Sequence, residues 1–139
     1  MKKELIISIV IFILIVIGNI ITQNYTKESV SDLSNNLENL KENISSKIEE
    51  KENDKDSFDG NRELLEKIDN ITKNWDSRHN KLAYYIEHNE LEKVEDNLTG
   101  LNSLVETREY NEAVKELDKS IFILKHIEEK YKFNLENIF

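Results

Sequence analysis

The chain is predicted to be all-α: a single N-terminal transmembrane helix, then an antiparallel helical bundle of three to four helices with a coiled-coil-like stalk. Three observations predict this. Residues 5–22 (LIISIVIFILIVIGNIIT) carry no charge and only four polar or glycine positions. Proline is absent and glycine occurs only at 18, 60 and 100, so both main helix breakers are nearly missing. Beyond the apolar run, large aliphatic side chains recur at intervals of three and four, the spacing of one helix face.

At about 1.5 Å of rise per residue, residues 5–22 make a helix of roughly 27 Å, close to the thickness of a bilayer's hydrocarbon layer. Lys2 and Lys3 precede the run, and the first charges after it are the mixed pair Lys27 and Glu28. This bias puts residues 1–4 in the cytoplasm and the remaining 117 residues outside a cell membrane. A secretory signal shares the charged start and apolar middle. However, no small-x-small cleavage pattern follows, Ala83 and Ala113 are the only alanines, and lipoprotein processing needs a cysteine that the chain lacks. The run therefore reads as an uncleaved anchor in the lipid bilayer, with Tyr25 just past it as an aromatic anchor at headgroup level.

Residues 23–50 continue directly as the stalk. Val30, Leu33, Leu37, Leu40, Ile44 and Ile48 follow at intervals of 3, 4, 3, 4 and 4, close to a coiled-coil seam. The stripe either packs inside the chain's own bundle or pairs with another chain, and Leu33, Leu37, Leu40 and Ile44 are candidate interaction residues on the second reading. A capping box at Ser29 to Asp32 offers a break from the anchor. Without a break, anchor and stalk form one rigid helix.

Residues 51–61 form a polar turn region, with Asp56 and Asp59 spaced to start a helix. Residues 62–132 are then the helical bundle. Its first helix carries Phe58, Leu65, Ile68, Trp75, Leu82 and Ile86 on one stripe, with Leu64 and Ile71 beside it. The phase shifts near His88 and Asn89, where Asn89 to Glu92 offers a second cap. Leu91, Val94, Leu98, Leu101 and Val105 form the next stripe. After a short polar connection at residues 106–109, Tyr110, Ala113, Val114, Leu117, Ile121, Leu124, Ile127 and Tyr131 form the last. Such helices bury their faces only by packing together. Residues 133–139 (FNLENIF) are an apolar tail where an ordinary terminus is polar, expected to dock on its own bundle, in the membrane interface or in a partner's groove; Phe133, Leu135, Ile138 and Phe139 are candidate interaction residues on the last reading.

Setting aside Lys2, Lys3 and Glu4 leaves 17 basic against 27 acidic residues, a net charge of −10. That surface repels nucleic acid and anionic headgroups, so no nucleic-acid partner is expected. The lack of cysteine excludes a disulfide scaffold, a thiolate metal site and a Cys nucleophile. Carboxylate-bridged di-metal bundles need Glu three residues before His on two helices. The residues three before His79, His88 and His126 are Asp76, Tyr85 and Ile123, so that site is not expected. His79 lies on the apolar stripe between Trp75 and Leu82, as a histidine held by a hydrogen bond rather than a pH switch. A calcium loop around Gly60 would put Lys55 at its first ligand position, which disqualifies it. No phosphate loop or nucleophile motif is present. No catalytic, cofactor-binding or metal site is assigned, and an enzyme is not expected. Trp75 is read as core rather than as a recognition surface with Tyr84 and Tyr85, of which one is expected to be exposed.

The anchor ending near Asn24 and Tyr25, the Asp-aromatic start at Asp56 to Phe58, and Trp75 seventeen residues on make a recognisable order. Ile86 to Leu91 (IEHNEL) and the terminal Asn134 to Phe139 (NLENIF) complete it. The pattern resembles a family of small membrane-anchored proteins of spore-forming, low-GC Gram-positive bacteria, catalogued as domain of unknown function 4363. Phe58 stands where that pattern leads one to expect tryptophan. The resemblance covers nearly the whole chain and implies an accessory subunit of a multi-pass membrane protein. From the residues themselves, the leading expectation is likewise an uncharacterised single-pass protein that binds an envelope or membrane protein. A ligand-sensing bundle is the second expectation, with its signal passing through the anchor to a partner, since residues 1–4 offer no output domain.

Overall fold

The computed structural model describes residues 2–50 and 58–132, with side chains placed for 2–49 and 60–131. Of the expected polar turn at 51–61, residues 51–57 lie outside the described residues and 58–61 already form the first turn of a helix, so the polar segment ends earlier than expected. The tail at 133–139, with Phe133, Leu135, Ile138 and Phe139, and the Asp56 cap also lie outside the described residues. Four helices make up the described chain: α1 (Lys2–Glu50), α2 (Phe58–Leu82), α3 (His88–Glu106) and α4 (Tyr110–Lys132), and no strand occurs among the described residues.

Helix α1 is unbroken for 49 residues, about 74 Å at the standard rise. Its first part is one long apolar surface: every large side chain from Leu5 to Ile21 is exposed within the chain. It is long and apolar enough to cross a membrane. Polar groups near the end of this run are satisfied within the helix. Thr22 Oγ1 donates to the Gly18 carbonyl at 2.9 Å, and Gln23 Nε2 to Asn19 Oδ1 at 3.4 Å, an arrangement that a membrane-spanning segment would require. No break occurs at Ser29. Its side chain is buried on the inward stripe instead of capping, and the Asp32 carboxylate bonds Arg78 at 2.8 Å.

From Thr26 onward α1 becomes core. Val30, Leu33, Leu37, Leu40 and Ile44 are all buried, with α2 and α4 packed against α1. The coiled-coil-like stripe is therefore internal to this chain: its spacing suits a seam, and α2 and α4 supply the other side of it. Leu33, Leu37, Leu40 and Ile44 are thus withdrawn from any outside partner.

The helices contact one another as a ring, α1 to α2, α2 to α3, α3 to α4 and α4 back to α1. The α1–α4 seam is the most extensive, and Glu38–Lys125 (3.4 Å) and Lys41–Asp118 (2.5 Å) bridge its surface. Such exposed pairs are worth at most about 1 kcal/mol each, so the apolar stripes hold the fold. Leu91, Val94, Leu98, Leu101 and Val105 of α3 are all buried, as their spacing predicts. So are Ala113, Leu117, Ile121, Leu124 and Ile127 of α4. In α2 the expected Ile68, Trp75 and Leu82 are buried, joined by the flanking Leu64 and Ile71, while Leu65 is only partly buried.

Both described turns depart from simple capping. Helix α2 stops at Leu82, short of Ile86. Ile86 N–H still bonds the Leu82 carbonyl (2.8 Å) and the side chain is buried, so it staples the turn to the core. Helix α3 ends in a Schellman motif, with Glu109 N–H on the Leu104 carbonyl (2.7 Å) and Arg108 N–H on that of Val105 (3.1 Å). Arg108 occupies the left-handed position with φ 61°, where glycine is the usual residue. The motif persists because it caps the helix and Thr107 Oγ1 adds bonds to the Ser103 carbonyl (3.1 Å) and Glu109 (2.9 Å).

Because Leu37 is fully enclosed, Leu37→Ala should lower the free energy of unfolding by about 2–5 kcal/mol, measured by urea denaturation. A variant that keeps wild-type stability would place the stripe on an outer face.

Candidate functional site

The end of the bundle nearest the apolar run gathers the chain's least ordinary side chains. Helix α1 arrives with Tyr25, Thr26 and Ser29. Helix α2 ends there at Lys81 and Leu82, and α3 starts there at His88. Helix α4 ends there with Lys130 and Tyr131. The proximity of these elements follows from direct contacts: Lys81 Nζ sits 5.5 Å from the centre of the Tyr25 ring, and Tyr131 lines a shallow cleft with Gln23, Asn24, Thr26, Lys27 and Glu128.

Glu87 precedes α3 in the N-cap position without any side-chain cap bond. Its backbone N–H instead donates to the Tyr131 hydroxyl at 2.9 Å, and that hydroxyl donates to Glu90 Oε2 at 3.4 Å. Lys130 Nζ bonds Glu87 Oε1 and Glu90 Oε1, each at 2.9 Å. The last turn of α4 thereby supplies the cap that the sequence around Asn89 was expected to supply to α3. The hydrogen bonds that Lys130 donates to Glu87, then Glu90, raise its pKa above the ordinary value. Burial chiefly raises that of Tyr131, opposed by the bond from the Glu87 N–H.

One turn earlier on α2, His79 Nδ1 contacts Glu95, and its ring stacks on His88 at 6.4 Å and 15°. His88 Nε2 bonds Glu92 at 3.0 Å. His79 is half-buried and partnered, clasping α2 to α3. These imidazoles and carboxylates bind one another in pairs, and no three His, Cys, Asp or Glu side chains among the described residues could together hold a metal ion.

Trp75 is core, 1% exposed, and its indole N–H has no acceptor among the described residues. The expectation that one of Tyr84 and Tyr85 is exposed is met by both, at 84% and 47%. The early end of α2 puts both in a turn, freed from helical alternation. Tyr25 is partly buried against the bundle rather than wholly free. Phe122, 73% exposed on α4 beside half-buried Ile123, was missed, although an aromatic one position off a stripe marks the outer face.

Tyr131→Phe removes the acceptor for Glu87 N–H and should cost about 0.5–1.5 kcal/mol, read from urea denaturation. A raised folded pKa on Lys130 and on Tyr131 gives stabilisation that is complete below the unfolded values and lost as pH climbs through the folded ones. Stability should hold through neutral pH and fall above about pH 10, less steeply in the phenylalanine variant.

No curated protein and no solved structure matches the chain. A family model does, over residues 20–138, described as a domain of unknown function (DUF4363). The match begins inside the apolar run and covers the whole bundle, and the chain belongs to this family.

Proposed function

We propose that this is a single-pass membrane protein whose antiparallel bundle serves as an accessory, protein-binding module for an envelope or multi-pass membrane protein. The observation that carries the reading is the continuity of α1. The helix passes from a wholly exposed apolar surface into a wholly buried core stripe with no linker between. A bundle mounted in this way is held at a set height above the membrane, which favours a partner that is itself fixed there. Lys2 and Lys3 favour a cytoplasmic start, with the acidic bundle outside. Action by binding rather than catalysis accords with ionisable groups that are spent on one another. With the stalk stripe enclosed, contact falls to outer surfaces such as Phe122 and to residues 133–139.

A second reading, a ligand-sensing bundle, is favoured by the same helix and by the cleft between α1 and α4. Any repacking of the core would be transmitted directly to the membrane segment.

Tagging the N-terminus, crosslinking in intact cells and identifying what co-purifies decides between them. The accessory reading expects a stoichiometric membrane protein, and expects Phe122→Asp to reduce its recovery without changing thermal stability. Recovery of this chain alone would overturn the accessory reading and leave the sensing one.

A further inference from the structure

Tyr84 and Tyr85 are the two most exposed tyrosines described, and their position follows from the helices around them. Helix α2 contacts α1 first through Arg78 on Asp32 and then through Lys81 over Tyr25, so it runs towards the apolar segment. Lys81 is level with Tyr25, which stands three residues beyond Thr22, or about 4–5 Å along the helix. The turn that follows carries Tyr84 and Tyr85 further in the same direction. Packed helices lie about 8–10 Å apart, so the turn stands beside the anchor at the depth where its apolar run ends.

The turn itself is rigidly built. Tyr84 N–H bonds the Lys81 carbonyl at 3.3 Å, Tyr85 N–H bonds that of Leu82 at 2.8 Å, and Leu82 and Ile86 are buried on either side. The two rings, 6.3 Å apart and tilted by 58°, stand exposed on this turn. An exposed pair of amphipathic rings at this height suits the headgroup layer, where the ring is buried and the hydroxyl stays wet.

We infer that Tyr84 and Tyr85 form a second membrane contact, seated in the headgroup layer of the bilayer that surrounds residues 5–22. This rests on those residues spanning a membrane. Two attachments, the helix and the turn, stop the bundle from tilting about its anchor. The occupant of this surface is lipid because the unbroken α1 brings any surrounding bilayer to the turn whether or not a protein partner is present.

The chain has no cysteine, so single fluorophores can be placed at Ala83→Cys, Thr107→Cys and Ile13→Cys in the full chain, each in phosphatidylcholine nanodiscs. Ala83 keeps both tyrosines in place, Thr107 lies in the turn at the other end of the bundle, and Ile13 reports the span. A headgroup-nitroxide lipid should quench the Ala83 probe and spare the Thr107 probe, while an acyl-chain nitroxide quenches the one at Ile13. Adding Tyr84→Ser with Tyr85→Ser should cut quenching at Ala83 by about two-fold or more, with helicity unchanged. Equal quenching at Ala83 and Thr107, or no response to the double substitution, overturns the inference while the Ile13 signal keeps the membrane reading intact. Loss of quenching at Ile13 overturns both. Protection of Ala83 in native vesicles but not in lipid nanodiscs would assign the surface to a protein and overturn the lipid assignment.

Discussion

One helix serves two surroundings, and the other elements are arranged about that fact. From Leu5 to Ile21 the large apolar side chains of α1 face outward; from Thr26 one stripe of the same helix is enclosed by α2 and α4. A step of five residues separates the two regimes, about 7.5 Å along the axis. No glycine or proline interrupts α1 after Gly18, and Thr22, Gln23 and Ser29 turn their polar atoms along or into the helix rather than breaking it. In a helix that spans a membrane, an end at this place would leave backbone carbonyls unsatisfied next to lipid, which is more costly than in water.

This constraint organises the opposite side of the bundle as well. The α2–α3 turn and the end of α4 must close against α1 near its exit from the core. They do so with Ile86 stapled into the core and with Tyr131 and Lys130 capping α3 across the bundle. The far end is closed differently, by the Tyr110 hydroxyl on Asn61 at 3.0 Å and by the Schellman turn at Arg108. One end of the bundle thus relies on side chains that reach across helices, the other mostly on local backbone geometry.

The helices were legible in the sequence because burial of one face imposes three-and-four spacing, and every inward residue of α3 followed it. The break-free composition made a continuous α1 possible, but whether Ser29 caps or packs depends on Arg78 claiming Asp32, a contact across helices. Spacing alone left open which surface covers Leu37, since another chain's stripe and the chain's own α2 and α4 present the same pattern. The end of α2 was misplaced because Ile86 is buried without being helical. Tyr131 was legible as a packing residue but not as a cap, because its partner at Glu87 is 44 residues away. Arg108 gave no signal at all, since the left-handed position normally announces itself with glycine. Family membership was legible from the order of diffuse helical features, and the match over residues 20–138 bears it out.

The proposed function depends on α1 running from its apolar segment into the core without a joint. Amide hydrogen exchange across residues 19–33 of the full chain, reconstituted in lipid nanodiscs, tests it most directly. The account predicts continuous protection through Tyr25, Thr26 and Ser29, comparable with that at Leu33 and Leu37. A window of fast exchange at residues 23–29 would contradict it, because the bundle would then hang from a flexible hinge.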